Sequence, residues 1–126
     1  MTNKLSRALE VLPLVAILRG LAPDRAAGIA AMLVAEGFQA IEVPLNGSGA
    51  LDAIRLVRAN VPDHVAVGAG TVVTSALAHD AKRAGAEYLV MPNLDTDVMK
   101  VGNELGLPLM PGVYTPSEAF LALRLG

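Results

Sequence analysis

Short apolar runs alternate with alanine-rich, amphipathic stretches along the whole chain, and this alternation is its strongest signal. The runs are LVAILRG (14–20), AIEVPLN (40–46), VAVGAGT (65–71), YLVMPN (88–93) and LPLMPGV (107–113). Each is short and nearly apolar throughout, which predicts strands covered on both faces. Helical spacing predicts helices at roughly 24–36, 48–60, 74–84, 95–105 and 116–125, preceded by a short one at about 3–10. Gly37, Gly85, Gly106 and Gly126 stand where helices should end. Pro23-Asp24, Ser48, Thr74-Ser75, Asp95-Thr96 and Thr115-Pro116-Ser117 supply cap chemistry at their starts. Strands separated by helices in this way predict a parallel sheet under a helical layer. Two architectures fit, an open doubly wound sheet and a (β/α) barrel.

In either architecture ligands gather at the carboxyl ends of the strands. The polar residues of the runs fall there too: Arg19, Glu42 with Asn46, Thr71, Asn93 and Tyr114-Thr115. Strand alternation puts Ile41, Val43 and Leu45 on one face, and Ala40, Glu42, Pro44 and Asn46 on the other. The bulky face suits the helix layer, and the small, polar face suits a barrel interior. A carboxylate there has two readings. It is either paired with a core arginine such as Arg19, or held in a partly dry pocket where a raised pKa lets it shuttle protons. Arg19 is likewise either a solvated strand-end cation or a planar fork for a substrate carboxylate.

GAGT (68–71) lacks the third glycine of a dinucleotide fingerprint, since position 73 is Val73. It reads instead as close backbone approach to a ligand, with the Thr71 hydroxyl as a donor. Pro92, Pro111 and Pro116 read as loop chemistry. His64 and His79 lack ligand-spaced partners and read as surface residues. Met32, Met91, Met99 and Met110 read as core filler. Asp80, Lys82 and Arg83 read as a solvated helix face.

Composition narrows the function classes. The 126 residues suffice for one domain, taken as 1–126, and 53% hydrophobic content marks a chain that buries a core. A net charge of −2 and 3% aromatic content leave neither an electrostatic footprint nor stacking platforms for nucleic acid. The absence of cysteine excludes thiolate metal sites and a cysteine nucleophile. The apolar run from Val11 to Leu18 is broken by Pro13 and is too short to span a bilayer. The amino terminus carries no signal-peptide pattern. A cytoplasmic protein without membrane or nucleic-acid partners is expected.

The motifs LVAILRG, GFQAIEVPLN, VGAGTV, YLVMPN and MPGVYTPSEAFLAL, in this order and spacing, resemble the 2-keto-3-deoxy-6-phosphogluconate and 2-keto-3-deoxy-6-phosphogalactonate aldolases. The resemblance covers nearly the whole chain. ILRG and EVPLN place it nearer the galactonate type, because the gluconate form usually carries arginine where Asn46 stands. It implies a (β/α)8 TIM barrel, of which this chain supplies about the first five βα units. It also implies a class I aldolase that reversibly cleaves a phosphorylated 2-keto-3-deoxy sugar acid to pyruvate and glyceraldehyde 3-phosphate. A lysine Schiff base serves as the electron sink in such enzymes. By the same resemblance Glu42 is the general acid/base and Arg19 binds the substrate carboxylate. Thr71, Pro92, Asn93, Pro111 and Gly112 line the pocket. No metal or organic cofactor is implied, and the family is typically homotrimeric.

One element of that chemistry has no counterpart. The Schiff-base lysine of such enzymes lies on the sixth strand, and the lysines here are Lys4, Lys82 and Lys100, none of them at a predicted strand end. The chain reads as cut short before that strand. It is therefore expected to be inactive alone, and its unpaired strand edges are expected to drive association. A non-catalytic half-barrel that binds or assembles is the alternative reading.

Overall fold

The computed structural model describes residues 3–126. The chain begins with α1 (Lys4–Val11) and then alternates β1 (Ala16–Ile17), α2 (Pro23–Ala35), β2 (Ala40–Pro44), α3 (Ala50–Asn60) and β3 (Ala66–Gly70). It continues through α4 (Ser75–Ala84), β4 (Tyr88–Met91), α5 (Thr96–Glu104), β5 (Leu109–Pro111) and α6 (Pro116–Arg124). All strand pairs are parallel and the order is β1-β2-β3-β4-β5. Every strand lies beside its sequence neighbours, with no reversal of direction across the sheet. A doubly wound sheet requires such a reversal, so the barrel-type winding is the one present.

Burial follows the alternation. Ile41, Val43, Val67, Ala69 and Leu89 face outward, where they pack with Ala26, Ala30, Ala53, Ile54 and Val57 of the helices. Each fully buried Val, Leu or Ile of this layer contributes roughly 1.5–3 kcal/mol. Alanines on the helices let α2, α3 and α4 lie close to the strands. The opposite face carries Ala40, Ala66 and Tyr88, and α1 closes its lower end with Leu5 and Ala8. Lys4 of α1 pairs with Glu87, just ahead of β4, across 83 positions of sequence. The Glu87 carboxylate also accepts from Arg58 Nη1 at 2.8 Å and from the Val67 amide at 3.0 Å. Arg58 in turn donates to the carbonyls of Val61, Pro62 and Val65 beyond the end of α3.

The helix ends differ from the sequence reading at two of the expected caps. Thr74, Asp95 and Thr115 cap α4, α5 and α6 through their side chains, and Thr115 with Glu118 forms a full capping box. Ser48 does not cap α3; Gly49, at φ 75°, takes that position with Pro23 against it. Asp24 lies inside the first turn of α2, whose N-cap is Ala22, and Pro23 starts the helix. At the carboxyl end of α4, Gly85 adopts φ 99° and donates back to the carbonyls of Ala81 and Lys82. The strands at the sheet edges, β1 and β5, are shorter than predicted because each has only one neighbour to pair with.

Two of the four methionines read as core are not. Met91 and Met99 are buried, but Met32 is 69% exposed on the outer side of α2 and Met110 is 37% exposed on β5. Among the described residues no helix is long and apolar enough to cross a membrane.

Candidate functional site

The site residues expected from sequence collect at the carboxyl end of the parallel sheet. Glu42 occupies the middle of β2, on the face opposite Ile41 and Val43, and is the one buried charged residue among those described. Its neighbour in register on β3 is Gly68, and Pro44 stands beside Gly70. The carboxylate leans across β3 into the space left by Gly70. A Cβ on Gly70 would fall 1.2 Å from Glu42 Oε1 and 2.3 Å from its carboxyl carbon. Glycine at 70 is thus a slot for the side chain of another strand.

Glu42 Oε2 is buried without a hydrogen-bond partner. Arg19, exposed at the end of β1, is near enough to act on the charge but forms no ion pair with it within 4.0 Å among the described residues. Burial therefore raises the Glu42 pKa above the ordinary carboxylate value, and the Arg19 guanidinium opposes part of that rise. Of the two readings of Glu42, the geometry favours an unpaired acid over a closed internal salt bridge.

Thr71 follows the slot directly. It is the one described non-glycine residue in the left-handed region, at φ 55°, and a β-branched side chain is poorly tolerated there. The conformation lets the chain turn out of β3 while Gly70 O accepts from the Leu45 amide and the Val72 amide donates to Val90 O. Such strain costs on the order of 1–3 kcal/mol and persists only where the surroundings impose it.

The remaining residues expected to line a pocket lie at the ends of β4 and β5. Pro111 is in register with Met91, and the Gly112 amide donates to Met91 O at 2.8 Å. A Cβ on Gly112 would fall 2.3 Å from the carbonyl oxygen of Pro92, so the two loops meet through bare backbone. Asn93 and Pro92 are exposed, and Pro111 and Gly112 are half-buried. Glu42 and Arg19 form one cluster, joined by the pull of the guanidinium on the carboxylate, and Pro92 and Gly112 meet in a second at the ends of β4 and β5, with Thr71 between them at the end of β3.

Sequence reasoning missed Tyr88. This fully buried phenol starts β4, donates from its hydroxyl to Ile41 O at 2.8 Å, and lays its ring where a Cβ of Gly68 would stand. Burial, with the Glu42 and Glu87 carboxylates nearby, pushes its pKa far up, so it remains a proton donor. The reading of GAGT as close approach to a ligand is corrected accordingly. The volume left by Gly68 and Gly70 is filled by the chain's own Tyr88 and Glu42. An aromatic opening the otherwise aliphatic fourth run, YLVMPN, was the available signal.

The lysines lie away from this cluster. Lys4 is on α1 against Glu87, and Lys82 and Lys100 are exposed on α4 and α5. Among the described residues no group of three or more His, Cys, Asp or Glu could hold a metal ion.

A parallel sheet whose strands follow sequence order, each crossing through a helix, is the winding of the (β/α)-barrel class of fold. The chain belongs to the KDPG and KHG aldolase family, whose model matches residues 4–126. It is 40% identical over 114 residues to a probable 2-dehydro-3-deoxy-6-phosphogalactonate aldolase of Rhizobium meliloti (strain 1021), covering 90% of this chain and 54% of that protein. A solved structure described as native KDPGal superposes with a TM-score of 0.87 at 36% identity, covering 91% of this chain and 56% of the other. A KDPG aldolase from Legionella pneumophila, with pyruvate captured as a covalent carbinolamine, superposes with a TM-score of 0.88 at 30% identity, covering 99% and 60%. The chain spans about half the length of the curated relatives it matches.

Proposed function

We propose that this chain carries the acid–base half of a class I aldolase site of the 2-keto-3-deoxy-6-phosphogalactonate type. The observation that carries the reading is Glu42, an interior carboxylate with an orphaned oxygen and a raised pKa at the carboxyl end of the barrel strands. A carboxylate whose pKa is raised by burial holds its proton longer than an exposed one, as a group that both accepts and returns protons must. In aldol cleavage Glu42 would take the proton of the substrate hydroxyl as the adjacent carbon–carbon bond breaks. The bonding electrons would pass into an iminium on a lysine, leaving an enamine that is then reprotonated. Arg19 would present its guanidinium to the substrate carboxylate. Thr71, Pro92, Asn93, Pro111 and Gly112 would wall the pocket around the pyruvyl carbons.

The lysine must come from outside these residues, because Lys4 is engaged at the amino end and Lys82 and Lys100 project from outer helices. The 126 residues form a single incomplete barrel domain and are inactive by themselves. In the complete enzyme they work in a cytoplasmic homo-oligomer. The missing amine also favours a second reading, a half-barrel that assembles with partners without catalysis.

Trapping with pyruvate and borohydride, read by intact mass, separates these outcomes. The chain alone should gain no adduct. Mixed with a polypeptide that supplies the remaining barrel strands, it should restore cleavage, with the adduct on the added polypeptide and turnover abolished by Glu42→Gln. An adduct on Lys4, Lys82 or Lys100, or turnover indifferent to Glu42→Gln, refutes the aldolase reading. Tight assembly without turnover favours the module.

A further inference from the structure

Two side chains from neighbouring strands use β3 as a shared bed. Glu42 comes from β2 into the place of a Gly70 Cβ, and Tyr88 comes from β4 into the place of a Gly68 Cβ, where its ring carbons lie 2.3 Å from that position. Glu42, Gly68 and Tyr88 are successive partners in register across the sheet. The phenol reaches past β3 to the carbonyl of Ile41, the residue immediately before Glu42. Below the ring are Ala40, Ala66, Leu5 and Ala8, all apolar and buried, so no water approaches Glu42 from that side without displacing it.

We propose that Tyr88 is a positioning residue of the site: its ring is the floor under Glu42, and its hydroxyl holds the backbone of β2 so that the carboxylate stays in the Gly70 slot. The proposal rests on the reading of Glu42 as the acid–base group for its meaning, but its geometry stands without turnover. Tyr88 itself is too deeply enclosed to touch a substrate. Its role is exercised through the peptide bond between Ile41 and Glu42 and through the exclusion of water. Arg19 faces Glu42 from the end of β1, and Tyr88 is the titratable group facing it from β4.

The test reads Glu42 directly in the 126-residue chain by NMR. In wild type, cross-peaks between the Glu42 methylenes and the Gly70 α-protons report the slot, and the labelled carboxyl reports the titration midpoint. In Tyr88→Leu the cross-peaks should disappear, and the midpoint should fall toward that of an exposed glutamate as water enters beneath. Tyr88→Phe keeps the floor and frees the Ile41 carbonyl, and it should show weakened cross-peaks with a smaller displacement of the same sign. Val57→Ala, a cavity in the outer core, should lower stability while leaving both readouts at wild-type values, which a merely structural role for Tyr88 would match. Wild-type cross-peaks and midpoint in Tyr88→Leu overturn the proposal. Should that variant not fold, wild-type values in Tyr88→Phe overturn it. Failure of the aldolase reading would appear in the borohydride experiment and leave these readouts unchanged.

Discussion

Replacing Glu42 by glutamine should stabilise the protein at neutral pH, at the expense of its proposed chemistry. Glu42 is 3% exposed, and its Oε2 finds no donor. Leaving a buried polar atom unsatisfied costs about 1–3 kcal/mol, and more when it is charged. The attraction of exposed Arg19 returns less than ~1 kcal/mol of that. Glu42→Gln keeps the shape and removes the charge but leaves an amide without a partner there, so only the charged part of the cost is recovered, a net gain of about 1 kcal/mol at pH 8. The pH dependence has a definite sign. The folded state holds the Glu42 proton more tightly than the unfolded chain does, because burial raises its pKa. Stability from this group is therefore fullest at acid pH and declines as pH rises from the ordinary glutamate range through the raised native value, then levels off. The advantage of Glu42→Gln should accordingly be small near pH 4 and larger at pH 8. Urea unfolding of both proteins by circular dichroism across that range measures it. Equal stability at pH 8, or a gap that widens toward acid, would refute the account of Glu42 as a buried, unpaired carboxylate.

Further outcomes follow from the same geometry. Arg19→Gln removes the charge that opposes desolvation and should raise the Glu42 titration midpoint further, as read by carboxyl NMR; a lower midpoint would place the guanidinium elsewhere. Thr71→Asn, better suited to φ 55°, should raise stability by about 1 kcal/mol in chemical unfolding, whereas no gain would mean the turn carries no strain. Gly28→Ala, inside α2 with no atom within 4 Å of the added carbon, should gain roughly 0.5–1 kcal/mol and a higher Tm. Glu87→Ala removes the acceptor shared by Lys4, Arg58 and the Val67 amide, and should lose on the order of 2–3 kcal/mol, with faster amide exchange throughout α1. Unchanged exchange there would show that α1 is held without this clasp, by its apolar seat and by Asp63 beside Lys4.

The order of elements was legible because each strand is apolar enough to be recognised and each helix is punctuated by a cap or a glycine. Helix positions agree to within a residue or two, and Gly37, Gly85, Gly106 and Gly126 all take positive φ. The placement of Glu42 on the interior face came from simple alternation about Ile41 and Val43. What the pattern could not carry was the meeting of residues distant in sequence. Gly70 reads as room for a ligand until Glu42 is seen to occupy its missing Cβ. Tyr88 looks like ordinary strand filler until its hydroxyl reaches Ile41. Met32 and Met110 read as core because methionine is apolar, but α2 turns Met32 outward and edge strand β5 leaves Met110 partly uncovered. Arg58 and Glu87 were legible only as charges, since their value lies in carbonyls and an amide brought together by the barrel winding.

The clasp between Lys4 and Glu87 has a consequence for how the chain is made. α1 finds its charged anchor only after the segment leading into the fourth strand has been made, and its apolar seat includes Tyr88, one residue later still. α1 therefore cannot dock as each strand is added in turn, and its seating reports that the central strands are already in place.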